Sequence, residues 1–163
     1  MKSLLIVGAG GYGQLVKELA ESEYQHIDFL DDNYSKAVGR IGDLEQIQNR
    51  YDGVIVAIGN PVIRERVFQH IKRPASAIHP RAVISGSARI GPGCVIEANS
   101  VINPNVSVKE GCFVCAGAIV NHDAVVNRFC QIDCNAVVES GAVVPEGTKV
   151  GSCTVFKRNN IGG

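Results

Sequence analysis

His122 and Asp123 are adjacent, and no other acidic or basic side chain lies between residues 111 and 127. Such a pair suits general-base catalysis. An unperturbed imidazole, with a pKa of about 6.5, accepts a proton at neutral pH, and a neighbouring carboxylate orients the ring. Acyl transfer to an amine or a hydroxyl would use this base together with hydrogen-bond donors for the oxyanion. On spacing alone, a surface histidine beside a turn aspartate is the more common interpretation.

A glycine-rich stretch follows the first apolar run of the chain, Lys2 to Val7. Its sequence is Gly8-Ala9-Gly10-Gly11-Tyr12-Gly13, and a helical pattern continues from it to Ser22. A GxGxxG turn between a strand and a helix exposes N–H groups and the positive end of the helix dipole, which favour a phosphate. Tight packing of the strand on the helix is the alternative explanation for these glycines.

Asp31 and Asp32 end the second predicted strand, Ile27 to Leu30, and follow the glycine turn by about twenty residues. In a dinucleotide-binding fold an acid in this place binds a ribose. A solvated loop is the alternative for both residues.

The third predicted strand, Val54 to Ile58, is followed by Gly59, Asn60 and a helix that carries Arg64. Arg64 either faces a ligand together with Gly59 and Asn60 or lies on an exposed helix face. The α/β pattern ends after about 75 residues, which leaves no second mononucleotide-binding half and no place for a nicotinamide. We therefore expect a Rossmann-like domain over residues 1–76 that binds a nucleotide-bearing ligand of another kind.

The rest of the chain repeats every six residues. At a composition of 45% hydrophobic residues, fourteen consecutive apolar residues at this spacing would arise by chance roughly once in 10^5 trials. The repeating column consists of Ile78, Ile84, Ile90, Ile96, Ile102, Val108, Val114, Val120, Val126, Ile132, Val138, Val144, Val150 and Phe156.

A second column, four residues after each member of the first, contains only small or β-branched side chains, and a third is rich in Gly, Asn and Asp, which tolerate left-handed turns. One bulky and one compact inward column fill a narrow coil with three walls. Three hexads make an eighteen-residue coil, so residues 77–163 are expected to form a β-solenoid with Cys94, Cys112 and Cys130 stacked in one corner.

The glycine turn, Phe29 to Asp32, Ala57 to Arg64, the hexads and the histidine–aspartate pair together resemble the sugar O- and N-acyltransferases of the sialic-acid and bacillosamine type, in the hexapeptide-repeat superfamily. The resemblance spans the chain from Lys2 to about Val150. It implies a left-handed parallel β-helix, a homotrimer, a nucleotide-sugar such as a UDP-amino-sugar bound by the N-terminal domain, and acetyl-coenzyme A bound by the helix.

The resemblance also assigns roles to residues. It implies His122 as the general base, Asp123 as the residue that orients its ring, and a backbone amide near Ser140, one coil onward, as the oxyanion donor. The expected acyl-coenzyme A site consists of Ser140 and Gly141, from the resemblance, and of Lys157 and Arg158, whose charges could meet coenzyme phosphates. A solvated terminus explains Lys157 and Arg158 equally well. The implied nucleotide-sugar site consists of Gly8, Gly10, Gly11, Tyr12, Gly13, Asp31, Asp32, Gly59, Asn60 and Arg64.

Two positions depart from the family pattern. Tyr12 stands where a histidine is common, and Gln131 stands where close relatives often carry a second histidine. The hexads also end at Phe156, earlier than is usual in the family, which implies less surface for the pantetheine arm. These departures motivate an alternative, a non-catalytic nucleotide-sugar sensor or assembly subunit on a hexapeptide scaffold. Binding of acetyl-coenzyme A would favour the enzyme.

The 163 residues include 16 basic and 16 acidic side chains, a balance that favours neither nucleic acid nor an anionic membrane as a partner. No run of about 18 apolar residues occurs, and Met1 to Val7 does not resemble a signal peptide, so a soluble, cytoplasmic protein is expected. The six cysteines are expected to be free thiols, neither disulfides nor zinc ligands, and no metal is expected.

Overall fold

The computed structural model describes residues 1–159. The chain divides into two compact units, Met1–Ala77 and the segment from Ile78 onward, so the division falls one residue after the predicted one. No helix in the described part of the chain is long and apolar enough to cross a membrane.

The first unit is a short α/β unit with three parallel strands in the order β2-β1-β3. Its strands are β1 (Ser3–Val7), β2 (His26–Leu30) and β3 (Gly53–Val56). Its helices are α1 (Gly11–Ala20), α2 (Leu44–Ile47), which lies between 3-10 turns at Ile41–Asp43 and Gln48–Arg50, and α3 (Pro61–Phe68). Strand β1 lies in the centre of the sheet. Its residues Leu4 to Val7 are fully buried, because a central parallel strand is covered on both faces.

The second unit is a parallel β-solenoid, as the hexads predict. Each of its strands has two residues and pairs with the strand eighteen residues away, for example Phe113 with Val95 on one side and with Gln131 on the other. The strands are β4 (Ala77–Ile78), β5 (Val83–Ile84), β6 (Arg89–Ile90), β7 (Val95–Ile96), β8 (Val101–Ile102), β9 (Ser107–Val108), β10 (Phe113–Val114), β11 (Ile119–Val120), β12 (Val125–Val126), β13 (Gln131–Ile132), β14 (Val137–Val138), β15 (Val143–Val144), β16 (Lys149–Val150) and β17 (Val155–Phe156).

These strands form three walls. The first has the order β16-β13-β10-β7-β4, the second β17-β14-β11-β8-β5, and the third β15-β12-β9-β6. We call them the first, second and third wall below. From β5 onward, the second residue of each strand points into the coil together with the compact column, and this interior forms one continuous hydrophobic core.

The predicted cysteine stack is confirmed. Cys94, Cys112 and Cys130 are fully buried in the core, and each thiol donates to a backbone carbonyl fifteen residues onward, at 3.0–3.1 Å. All six cysteines are free. The predicted inward column is wrong at Ile78, which is 45% exposed, because the first coil has a neighbouring coil on one side only.

The predicted turn column is confirmed and contains two unexpected residues, Phe129 and Cys153, the latter with φ 58°. Asn99, Asn105, Asp123 and Asn135 all have φ between 55° and 62°, the left-handed conformation that short polar side chains tolerate. Phe129 has φ 56° in the same column. A Cβ at Gly111, one coil earlier, would lie 2.4 Å from the Phe129 ring, so this aromatic ring packs directly on the glycine.

Substitution of two glycines in the first unit should change its stability in opposite directions. A Cβ at Gly13 would lie 2.0 Å from the Gly8 carbonyl oxygen, so Gly13→Ala should lower the free energy of unfolding by ~2 kcal/mol or more. Gly11 has no atom within 4 Å of a Cβ, so Gly11→Ala in the first turn of α1 should raise it by up to ~1 kcal/mol. Urea unfolding of both variants checks this, and equal effects would contradict the packing described.

Candidate functional site

His122 and Asp123 lie in the turn between β11 and β12, at the corner where the second and third walls meet. Both side chains are exposed, at 60% and 57%, and His122 Nδ1 lies 2.8 Å from Asp123 Oδ2. A proton on Nδ1 completes this hydrogen bond and leaves Nε2 as the proton acceptor. The predicted pairing of the two side chains is therefore present.

Asp123 is itself held in place from the preceding coil. Asn105 Nδ2 donates to Asp123 Oδ1 at 3.1 Å, and the Asp123 N–H donates to the Pro104 carbonyl at 3.0 Å. Hydrogen bonds from His122 and then from Asn105 lower the pKa of the Asp123 carboxyl below its ordinary value, so this side chain is ionised at neutral pH. The sequence analysis missed Asn105 as a site residue, although the eighteen-residue register places it directly beneath Asp123.

Of the two backbone amides predicted near the oxyanion, one is already engaged. The Gly141 N–H donates to the His122 carbonyl at 2.9 Å and so joins their two coils. The Ser140 N–H has no hydrogen-bond partner among residues 1–159. The donor available beside His122 is therefore the Ser140 amide.

An equivalent turn amide elsewhere in the solenoid binds a carboxylate. Ala116, which lies 24 residues before Ser140 and occupies the same turn position, donates its N–H to Glu97 Oε2 at 3.1 Å. Glu97 is only 6% exposed, so this turn position can hold an oxyanion away from bulk solvent. The comparison indicates that the Ser140 amide is suited to the same task.

The two cations near the end of the hexads differ in their surroundings. The Arg158 N–H donates to Glu139 Oε2 at 2.8 Å, and a Cβ at Gly141 would lie 3.3 Å from Arg158 Nη1. The guanidinium therefore lies against Gly141. Lys157 is exposed. His122, Ser140 and Arg158 are each eighteen residues apart, so a base, a turn amide and a cation follow one another along one column.

The glycine turn of the first unit contains two kinds of glycine. Gly8 has φ 102°, is buried and donates its N–H to the Leu30 carbonyl at 2.8 Å, and Gly13 packs on Gly8. Gly10 and Gly11 are exposed, with no atom within 4 Å of a Cβ. Close packing thus explains Gly8 and Gly13, whereas Gly10 and Gly11 leave room for a ligand at the start of α1.

Asp31 fastens the glycine turn to the end of β2. Its carboxylate accepts from the N–H groups of Ala9 at 2.8 Å, Asn33 at 2.8 Å and Tyr34 at 3.0 Å. These backbone hydrogen bonds, with that of Ala9 foremost, lower the pKa of the carboxyl. Asp32 is exposed, and its Oδ1 accepts from the Ile41 N–H at 3.1 Å. Asp31 therefore positions the turn, and Asp32 is the more accessible of the two carboxylates.

Arg64 is 1% exposed, which excludes the exposed helix face as its location. Its Nη1 donates to the carbonyls of Ile58 at 2.8 Å and Gly59 at 3.0 Å. Asn60 Oδ1 accepts from the N–H groups of Val62 and Ile63 and so caps α3. Gly59 and Asn60 are exposed, and Arg64 supports the loop that presents them.

No cluster of three or more His, Cys, Asp or Glu side chains that could hold a metal ion occurs within residues 1–159. Tyr12 is half-buried in the first turn of α1, where the resemblance leads one to expect a histidine.

Two family models match the chain, one in each unit. Residues 3–71 match the PglD N-terminal domain, and residues 87–122 match the bacterial transferase hexapeptide model of six repeats. The match in the first unit ends before Ala77, and the match in the second unit includes His122.

A curated protein is also similar to this chain. A UDP-N-acetylbacillosamine N-acetyltransferase of Bacillus subtilis (strain 168) is 30% identical over 113 residues, which cover 60% of this chain and 52% of the relative. The chain thus spans about half the length of that curated relative.

Solved structures match over most of the chain. The acetyltransferase domain of PglB from Neisseria gonorrhoeae FA1090 superimposes with a TM-score of 0.85 at 28% identity, over 96% of this chain and 92% of that one. The same domain in complex with acetyl coenzyme A superimposes with a TM-score of 0.78 at 30% identity, over 94% and 87%. These similarities confirm the resemblance that the sequence motifs indicate.

Asp31→Asn should lower the free energy of unfolding by ~1 kcal/mol at pH 7, because an amide makes weaker hydrogen bonds to the three N–H groups. The folded-state pKa is depressed, so the contribution is complete above the unfolded-state value of about 3.9 and is lost as the pH falls through the folded-state value. The stability gap between wild type and variant should therefore narrow towards pH 2 in urea unfolding. Asp32→Asn is the control, and a gap independent of pH would contradict the role of Asp31.

Proposed function

Because the chain belongs to the bacterial hexapeptide transferases that carry a PglD N-terminal domain, we propose that it is a sugar acetyltransferase. It moves an acetyl or similar short acyl group from coenzyme A to an amino or hydroxyl group of a nucleotide-activated sugar. A UDP-linked amino sugar is the acceptor class that the similarity to the Bacillus subtilis protein favours. The observation that carries this proposal is the column formed by His122, Ser140 and Arg158.

The reaction uses His122 as the general base. The acceptor's amine or hydroxyl attacks the thioester carbonyl while Nε2 takes its proton, and Asp123 stabilises the imidazolium through Nδ1. The tetrahedral oxyanion accepts a hydrogen bond from the Ser140 N–H. Collapse of this intermediate breaks the carbon–sulfur bond, and the imidazolium returns the proton to the departing coenzyme A thiolate. The proton thus passes from acceptor to thiol.

The distance between the base and the amide supports this mechanism. The hydrogen bond from Gly141 to the His122 carbonyl places the two turns on adjacent coils. Adjacent coils are one strand spacing apart, about 4.8 Å. A carbonyl group bound between the two turns is within reach of both. His122 can then contact the attacking atom, and the Ser140 N–H can contact the oxyanion, without movement of the backbone.

Acetyl-coenzyme A is the proposed donor, and the complex of the Neisseria domain with it supports the choice. We assign its thioester to the Ser140 turn, because the Ser140 N–H has no partner within residues 1–159. Arg158, one coil further, contacts coenzyme phosphates through its planar guanidinium, and the exposed Lys157 contacts them as a point charge.

The nucleotide-sugar is proposed to bind the first unit, which we interpret as a Rossmann-like domain. The exposed Gly10 and Gly11 at the start of α1 support contact with a phosphate, because their N–H groups and the helix dipole attract anions. We assign the remaining contacts to accessible or half-buried residues of the neighbouring loops. They are Tyr12, Asp32, Gly59 and Asn60.

We further propose that the solenoid is left-handed and assembles as a homotrimer. The outward residues of the second wall are all aliphatic, and two of them, Val83 and Val155, are 62% and 52% exposed. The full outward column is Val83, Val101, Ile119, Val137 and Val155. A continuous aliphatic face of this kind is suited to burial against copies of the same chain. His122 lies at the edge of this face, so assembly would bring a second copy beside it.

His122→Ala should reduce turnover by about 10^2-fold or more, because the acceptor then loses its base. Initial rates of thiol release from acetyl-coenzyme A, measured with a panel of UDP-, GDP- and CMP-linked sugars, check this. His70→Ala is the matched control, since His70 lies in the first unit, where its Nδ1 is 2.9 Å from Glu45 Oε1. Turnover close to that of wild type in His122→Ala would contradict the mechanism.

Ile119→Glu should dissociate the trimer, because it places a carboxylate in the middle of the aliphatic face. Light scattering should give about 52 kDa, three times 17.3 kDa, for wild type and about 17.3 kDa for the variant. Ile119→Val keeps the face aliphatic and should remain trimeric. A wild-type chain of 17.3 kDa at micromolar concentration, or an unchanged mass for a folded Ile119→Glu, would refute this assembly.

A further inference from the structure

A second polar feature lies on the solenoid, in the coils that precede His122. A cavity of about 260 Å³ is lined by Ser87, Arg89, Asn105, Val106 and Ser107. Arg89 and Ser107 are paired across strands β6 and β9, and both face outward on the third wall. None of these residues takes part in the acyl-transfer chemistry described above, apart from the hydrogen bond of Asn105 to Asp123.

The cavity offers a cation and hydroxyl groups to a ligand. In the described part of the chain the Arg89 guanidinium has no hydrogen-bond or ion-pair partner, and the lining contains no carboxylate. Ser87 Oγ accepts from the Asn105 N–H at 3.1 Å and lies 3.2 Å from Ser85 Oγ. The Asn105 side-chain amide is occupied by Asp123 at 3.1 Å. Arg89 is therefore the polar group of the cavity that lacks a partner. Its planar guanidinium can donate two parallel hydrogen bonds to a phosphate.

The register relates this cavity to the base. Ser87, Asn105 and Asp123 are each eighteen residues apart and so lie in one column, and hydrogen bonds connect each to the next. The cavity thus begins two coils before Asp123, about 10 Å along the axis. Ser140 and Arg158 lie on the other side of His122, one and two coils after it. A donor and an acceptor would therefore approach the base from opposite ends of the solenoid.

We propose that the Arg89 cavity binds a phosphate group of the acceptor, other than the one assigned to Gly10 and Gly11, and makes Arg89 a specificity-determining residue. The inference rests on the proposed acetyltransferase function. Two coils correspond to the length of one pyranose ring with a phosphate attached, so a sugar whose phosphate contacts Arg89 presents its far amine or hydroxyl at His122 Nε2. A free sugar lacks this contact and binds less tightly.

Binding is the first test, since it does not depend on turnover. Isothermal titration of the full chain with pyrophosphate, UDP and uridine should give Kd values at least about 10-fold higher for Arg89→Gln with the first two ligands and unchanged values with uridine. Arg89→Lys should retain part of the affinity. Arg81→Gln, which removes an exposed charge from the first coil outside the cavity, should match wild type. Unchanged pyrophosphate and UDP affinity in Arg89→Gln would overturn the inference.

Kinetics separates this inference from the proposed function. Arg89→Gln should raise KM for a UDP-linked amino sugar at least about 10-fold and leave KM for acetyl-coenzyme A within twofold. An equal rise in both constants would overturn a specificity role. Absence of acetyl transfer by wild type, with pyrophosphate affinity still dependent on Arg89, would refute the proposed function and retain the anion site. A lower assembly mass in Arg89→Gln would instead assign Arg89 to contact with a second copy and overturn the inference.

Discussion

The backbone ladder between coils is the constraint on which the second unit depends. Each two-residue strand of the inner coils is hydrogen-bonded to the strands eighteen residues before and after it, and each turn from Gly111 to Cys153 is bonded to the turn one coil earlier. A residue therefore has fixed neighbours that can be found by counting. The same ladder stacks Cys94, Cys112 and Cys130 inside the core and aligns His122, Ser140 and Arg158 on the surface. Packing and chemistry are thus set by one repeat.

The ladder also determines which backbone donors remain available. In the turns from Gly111 to Cys153, one amide completes the bond to the preceding coil, as Gly141 does with the His122 carbonyl. The amide one residue earlier is left for other partners. At Ala116, this amide donates to the Glu97 carboxylate. At Ser140 the described chain supplies no acceptor, and a developing oxyanion is the partner that the proposed chemistry provides. A structural feature that recurs along the solenoid becomes functional only where a base lies beside it.

The first unit uses buried or partly buried polar groups to hold its loops. Asp31 fixes the glycine turn through the Ala9 N–H, and Arg64 fixes the loop at Gly59 through two carbonyls. These bonds are made to backbone groups, so they determine loop shape and do not depend on which side chains the loops carry. The exposed residues Gly10, Gly11 and Asn60 are thereby presented on a rigid support, which reduces the entropic cost of ligand binding.

Much of this could be predicted from the sequence, because the hexads are long and regular. Period six predicts the coil, the inward columns and the left-handed turns, and it places Ser140 beside His122. The six-residue repeat does not indicate which hydrogen bonds individual polar groups make. The burial of Arg64, the engagement of the Gly141 amide and the support of Asp123 by Asn105 are for that reason visible only in the structure. Ile78 shows a second limit, since a repeat has no information about where a stack of coils ends.

The central claim is that one thioester carbonyl lies between His122 and the Ser140 amide. A crystal structure with a non-hydrolysable acetonyl analogue of acetyl-coenzyme A tests it most directly. The account predicts the carbonyl oxygen within about 3.2 Å of Ser140 N, and a carbonyl carbon that an acceptor atom hydrogen-bonded to His122 Nε2 can approach to about 3.5 Å. An analogue bound with its carbonyl away from this corner, or with its oxygen on another donor, would contradict the account.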